Sequence, residues 1–212
     1  MLREPALTEP RLKKRELDGR RLRSERTKRL IIEAYLELLR KNPQTPTAVQ
    51  IAEQAGYSVR SVFERFVDLN ALNLATADYA VAMGQAEAVA RDVDGDRPTR
   101  IRSHVRTRAL ACEKWLPLWR VLVATQEQLV ELKARVVLAR LGNIERMKLM
   151  YGPELSTLPT AERDQLLIAL ATLISFESWD QMRHCYNLSV EAAQGVWISA
   201  IDRALPPTPP AR

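Results

Sequence analysis

The chain has 212 residues, of which 46% are hydrophobic and only 7 are glycine, enough to bury a core in one or two domains and suited to a helical globular fold. Its formal net charge of +6 is uneven: residues 1–72 carry 15 Lys+Arg against 10 Asp+Glu, and the rest 17 against 16, so the basic excess sits where phosphate neutralisation would use it. No apolar h-region opens the chain, and the longest apolar run, residues 166–174, is too short to span a bilayer, so nothing marks export or membrane insertion and a cytoplasmic location is expected.

Residues 11–29 hold ten Lys+Arg and three Asp+Glu. Pro5, Pro10 and weak apolar periodicity predict that residues 1–23 form a flexible basic arm. Such an arm either follows the minor groove and phosphates of a duplex or is a tail without a fixed role. From residue 24, Ile31, Ala34, Tyr35, Leu38 and Leu39 recur at i, i+3, i+4, i+7 and i+8, which predicts an amphipathic helix over 24–41. Asn42 and Pro43 stop it.

The next twenty residues, 47–66, are the most informative. Thr47 caps a short helix and Gln50 reaches back to it, forming a capping box, while Pro46 keeps the preceding chain from entering as helix. Ile51, Ala52 and Ala55 give that helix a small apolar face. Gly56 takes the left-handed conformation that ends it. Ser58 caps a second short helix, whose buried stripe is expected to be Val59, Val62, Phe63 and Phe66. Arg60, Ser61, Glu64 and Arg65 are left facing outward. Two short helices at a tight turn, the second bearing arginines, are the pattern of a helix-turn-helix that docks in the DNA major groove; an ordinary αα-hairpin has the same local signature. Asp68 then caps a long helix through Leu69, Leu72, Ala75, Ala77 and Tyr79.

Helices are predicted onward over 68–91, 98–114, 117–124, 127–150, 160–186 and 189–205. Asp92, Asp94, Gly95 and Asp96 resemble the start of a calcium loop, but Arg97 and Ser103 stand where glycine and the bidentate glutamate belong, so this is read as a linker. Gly152-Pro153 breaks the chain, Leu158-Pro159-Thr160 starts the next helix, and residues 206–212 form a Pro-rich tail. Leu166, Leu167, Ile168, Leu170, Leu173, Ile174 and Phe176 are apolar nearly all round their helix. Val190, Ala193, Trp197, Ile201 and Ala204 form one stripe on the last. Surplus apolar surface on two helices fits either the protomer core or a two-fold dimer built as a four-helix bundle, with Leu170, Ile174, Trp197 and Ile201 as the candidate interface.

Candidate chemistry is sparse. His104, His184, Cys112 and Cys185 show no metal-ligand spacing, and the two cysteines no CxxC pairing, so reduced thiols and no metal site are expected. No nucleophile elbow, Walker loop or dinucleotide fingerprint is present, so neither an enzyme nor a cofactor is indicated. A helical bundle places pockets between its helices. Trp115, Trp119, Gln126, Met147, Trp179, Met182 and Tyr186 are the candidate lining, with Glu177 and Asp180 as further polar groups, and each fits plain core equally well.

Residues 26–72 resemble the DNA-binding domain of the TetR family of bacterial transcriptional regulators. The resemblance is carried by Ile31-Ile32-Glu33-Ala34 and Leu38-Leu39, by Thr47 and Ile51-Ala52-Glu53, and by Ala55-Gly56-Tyr57-Ser58 at the turn. It continues through Ser61-Val62-Phe63 and Phe66 to Ala71-Leu72. It implies an all-α fold with a DNA-binding domain over 24–72 and a ligand-binding and dimerisation domain over 73–205. It also implies a homodimer formed through the last two long helices, and a palindromic double-stranded DNA operator that needs two recognition helices about 34 Å apart. Arg60, Ser61 and Arg65 become candidates for base or phosphate contact, and Thr47, Tyr57 and Ser58 for the DNA backbone. The sequence departs from the family at Phe63, usually a tyrosine that touches phosphate, at Leu69, often a lysine, and at Arg60, often a glycine. The resemblance implies a repressor released by a small apolar ligand. Two alternatives stay open: a DNA-binding dimer without a ligand, and a helical enzyme with a degenerate DNA-binding domain.

Overall fold

The computed structural model describes residues 9–42, 44–87 and 89–210, with side chains from residue 21 onward except at Gln128. Residues 1–8 of the expected arm, Pro43 of the expected helix stop, Ala88 of the helix expected over 68–91, and the last two residues of the expected tail lie outside the described residues. Those described form helices and connecting turns and no strand, so the chain is all-α. It divides into two compact units, Met1–Thr76 and Ala77–Arg212, with the division inside one helix.

In the first unit α1 spans Glu9–Lys41 and so starts well before residue 24, where it was expected. The stretch taken for an arm is rich in Lys, Arg, Glu and Leu, all strong helix formers, and Pro10 falls in the first turn, where its missing N–H is no loss. Ile31, Ile32, Ala34, Tyr35, Leu36 and Leu39 bury one face of α1. Two short helices, α2 (Ala48–Ala55) and α3 (Val59–Arg65), pack on it and on each other. Their core is Ile51, Ala52, Val62 and Phe66. Asp68 accepts from the Ala71 N–H at 2.7 Å and starts α4 (Leu69–Glu87). The buried Tyr35 hydroxyl donates to Asn73 Oδ1 at 2.5 Å, fixing α1 against the start of α4. Burial pushes the Tyr35 phenol well above its ordinary pKa, so it stays a donor.

In the second unit α5 (Arg97–Thr125) is the central element, packed against α6 (Val130–Met150) and later helices. Asp96 caps it by accepting from the Thr99 N–H at 2.9 Å. The sequence predicts a break before Pro117, but α5 runs through it. Buried Trp115, Leu116, Leu118 and Trp119 on either side offset the roughly 3 kcal/mol that an interior proline costs. A 3-10 turn at Gln126–Gln128 leads into α6. Then follow α7 (Gly152–Leu155), α8 (Thr160–Leu173), α9 (Phe176–Asp180), a π-helical turn (Gln181–Cys185) and α10 (Val190–Ala204). The single helix expected over 160–186 is interrupted because the Ser175 hydroxyl accepts from the Ser178 N–H at 3.1 Å and starts a new helix.

Two features hold this unit together. Trp179 and Trp197 pack with ring centroids 4.7 Å apart, and the Trp179 indole N–H donates to Glu113 at 2.7 Å. Arg100 and Glu154 form a buried bidentate pair, at 2.7 and 2.8 Å, that ties the start of α5 to α7. Leu170, Ile174, Trp197 and Ile201, expected at a dimer interface, are fully enclosed within the protomer. A periodic stripe reveals that a face is apolar, not which surface covers it. The outward faces of α8 and α10 carry Ile168 and Val196 instead. Among the described residues no helix is long and apolar enough to cross a membrane.

Candidate nucleic-acid interface and ligand cavity

The turn between α2 and α3 is built from local interactions. Thr47 Oγ1 accepts from the Gln50 N–H at 3.3 Å, and Gln50 Oε1 accepts from the Thr47 N–H at 2.9 Å, which completes the capping box. Gly56 has φ +72°, and the N–H groups of Gly56 and Tyr57 return to the carbonyls of Glu53 and Ala52 at 3.2 and 2.9 Å. That is a Schellman ending, and it requires a residue that tolerates the left-handed region. Ser58 Oγ accepts from the Ser61 N–H at 3.1 Å and starts α3 immediately. The chain therefore passes from α2 into α3 through only three residues.

On α3, Val62 and Phe66 anchor the helix inward. Arg60 stands almost free in solvent, with its side chain 88% exposed, and its Nε lies 3.0 Å from Glu64 Oε1. Glu64 also reaches Arg65 at 3.7 Å, so one carboxylate sits between two guanidinium groups on the outer face. Arg65 is less free than the sequence suggests: its side chain is 29% exposed, and its enclosed Nε has no partner among the described residues. Phe63, expected in the buried stripe, is 44% exposed. A seven-residue helix lying on one neighbouring pair has only a narrow covered arc, and Val62 and Phe66 fill it. Thr47 and Ser58 are exposed, and Tyr57 and Ser61 half-buried, beside the same turn. On α1, Arg21, Arg23 and Arg26 are exposed and add to the basic surface of this unit.

The second unit contains a cavity of about 530 Å3 among α4, α5, α6 and α9. Small residues leave the space: Ala77, Ala80 and Gly84 on α4, Ala111 on α5, and Ala139 and Gly142 on α6 all line it. A Cβ built on Gly84 or Gly142 would meet nothing within 4 Å. The aromatic wall is Trp115, Trp119 and Phe176, with the last two stacked at 4.7 Å. Arg108, Arg135, Glu145 and Arg146 bring charge to it. Of the lining expected from sequence, Trp115 and Trp119 are in this wall; Gln126, Met147, Trp179, Met182 and Tyr186 are not. Met147 and Trp179 are fully enclosed in core, Met182 is buried, and Tyr186 is exposed. Gln126 turns back to the Val123 carbonyl at 3.1 Å. Glu177 accepts from Trp119 Nε1 at 3.2 Å and Arg140 at 2.9 Å, and Asp180 pairs with Arg120. The sequence signal for the cavity was the spacing of small residues at 77, 80 and 84 and at 139 and 142, which keeps one face of each helix bare.

His104 and Cys112 are buried on α5, whereas His184 and Cys185 are exposed in the π-helical turn; among the described residues no group of three metal-ligating side chains forms. Burial, then the charges of Arg108 and Arg146, push the His104 pKa down to about 3, so it is neutral at pH 7 and shares a 2.6 Å hydrogen bond with the Tyr151 hydroxyl. Burial raises the Cys112 thiol to about 11, which keeps it protonated and unreactive.

The sequence matches no protein-family model and no curated protein. Solved structures are similar. One, assigned to the TetR family of transcriptional regulators and from a Rhodococcus species, has 15% identity and a TM-score of 0.63 over 84% of this chain and 98% of its own. Another, a transcriptional regulator from Rhodococcus sp. Rha1, has 12% identity and a TM-score of 0.63 over 86% and 99%. By element order, by the α2–turn–α3 geometry and by this likeness, the chain has the fold of TetR-family transcriptional regulators.

Proposed function

We propose that this protein is a dimeric, sequence-specific DNA-binding transcriptional regulator acting in the cytoplasm, a repressor released by a small ligand. The observation that carries the reading is α3: a short helix pinned by Val62 and Phe66, presenting Arg60 and Phe63 outward at a helix-turn-helix corner. Arg60 is long and free enough to reach guanine O6 and N7, and Phe63 supplies an apolar surface for a thymine methyl. Thr47, Tyr57, Ser58, Ser61 and Arg65 flank them and suit phosphate contact, which sets position rather than sequence. Glu64 opposes phosphate, and its partner arginines exchange it for DNA on docking.

A palindromic operator needs two such helices, and the unpartnered apolar faces of α8 and α10 offer a two-fold interface. Ile168 and Val196 are exposed there, and exposed Ala192 and Gly195 let a second copy approach closely. The cavity of about 530 Å3 favours a ligand-responsive regulator over a DNA-binding dimer without a ligand. A ligand releases DNA only by preferring the arrangement that does not bind it. Retardation of DNA from the protein's own promoter region at low salt tests the reading. Salt-sensitive retardation is expected, and no retardation at any salt would refute it.

A further inference from the structure

We propose that the cavity of the second unit takes an apolar monocarboxylate, its carboxylate held by Arg108 and Arg146 and its body lying against Trp115, Trp119 and Phe176. This rests on reading that cavity as the regulator's ligand site.

Four charged side chains stand in the cavity wall. Arg135 is paired with Asp78, Nε to Oδ1 2.8 Å, and Glu145 with Lys148 at 2.7 Å. Neither Arg108 nor Arg146 is paired with a carboxylate among the described residues. Arg108 donates from Nε to the Ile174 carbonyl at 2.9 Å and lays its guanidinium 4.4 Å from the Phe176 ring centroid. Arg146, half-buried, makes no ion pair or hydrogen bond to any described residue. Burial, then the charge of Arg108, lowers its pKa, which marks two like charges facing one partly desolvated space. Trp115 also lines the cavity: it is 7% exposed, and its enclosed indole N–H has no partner among the described residues.

Buried donors without acceptors are costly, and like charges facing each other repel. Both conditions are relieved by one anion. A carboxylate offers about four lone-pair sites and accepts guanidinium groups in charge-assisted bonds. The remaining wall, bare helix faces and stacked aromatics, has few polar groups and selects an apolar body.

The test is titration of the full-length protein without DNA, read by tryptophan fluorescence, with two matched series. Decanoate is compared with decanol, decylamine and decyl phosphate, and 2-naphthoate with 2-naphthol. At least one acid is expected to bind about tenfold or more tighter than its neutral analogue. Arg146→Gln is expected to abolish that preference by weakening the acid far more than its neutral analogue. Gly84→Leu, whose added side chain enters the open space, is expected to weaken all ligands, with circular dichroism confirming that both variants are folded. Acids binding no tighter than their neutral analogues, decyl phosphate binding tighter than decanoate, or an Arg146→Gln protein that keeps the preference would each overturn the proposal. A protein that retards promoter DNA but shows no acid preference would refute this site alone. One that binds acids yet never binds DNA would refute the regulator reading and leave the site standing.

Discussion

Replacing Glu154 by glutamine breaks the buried ion pair that ties α5 to α7. The Glu154 side chain is 0% exposed and that of Arg100 3%, so neither can turn to water. Arg100 also donates to the Met150 carbonyl at 2.6 Å and the Gly95 carbonyl at 3.0 Å, so it keeps acceptors in the variant but loses its counter-charge. Removing one partner of such a pair costs about 3–5 kcal/mol. For a chain of this length that lowers Tm by about 6–20 °C, read by circular dichroism at pH 7. Replacing both residues by methionine should recover much of the loss, because no unpaired charge then remains. The pH dependence follows from the same pair. Burial works against ionisation of Glu154, but the Arg100 guanidinium and the Thr208 hydroxyl hold its carboxyl below the ordinary value. A depressed folded-state pKa stabilises fully above the unfolded value of about 4.3 and loses that stabilisation as pH falls through the folded value. The wild type and Glu154→Gln should therefore converge in acid. A deficit under about 1 kcal/mol at pH 7, or one that is unchanged well below pH 4, would refute the reasoning.

Arg60→Ala should lower operator affinity by about 1–3 kcal/mol and relax preference at one base, measured by fluorescence anisotropy on matched and mismatched sites; an unchanged affinity removes Arg60 from the contact set. Gly56→Ala forces a Cβ into the left-handed region at φ +72° and should cost roughly 1–2 kcal/mol in urea unfolding. Tyr35→Phe leaves buried Asn73 without its donor and should cost about 1–3 kcal/mol by the same measurement. Ile168→Arg combined with Val196→Arg should turn a dimer into a folded monomer by analytical ultracentrifugation; an unchanged mass moves the interface elsewhere.

What the sequence made legible was local. The Thr47–Gln50 box, the Gly56 ending and the Ser58 cap each act within five residues, so their geometry is written in residue type and spacing. Pro10, expected in a flexible arm, and Pro117, expected to open a short helix, both lie inside helices because position or packing overrides them. The apolar stripes were correctly seen as apolar but not as covered or bare. Phe63 proved exposed because α3 has few neighbours, and Trp197 and Ile201 proved enclosed because α10 packs on α5. The cavity was least legible. It depends on small residues of three helices coming into register, and that is decided by long-range packing rather than by any one segment.

The most direct test of the central claim is selection of bound fragments from random double-stranded DNA by the full-length protein. Two inverted half-sites at a fixed spacing, their enrichment lost with Arg60→Ala, are the expected result. Fragments of unrelated sequence, or a single ungapped half-site bound by a monomer, would contradict it.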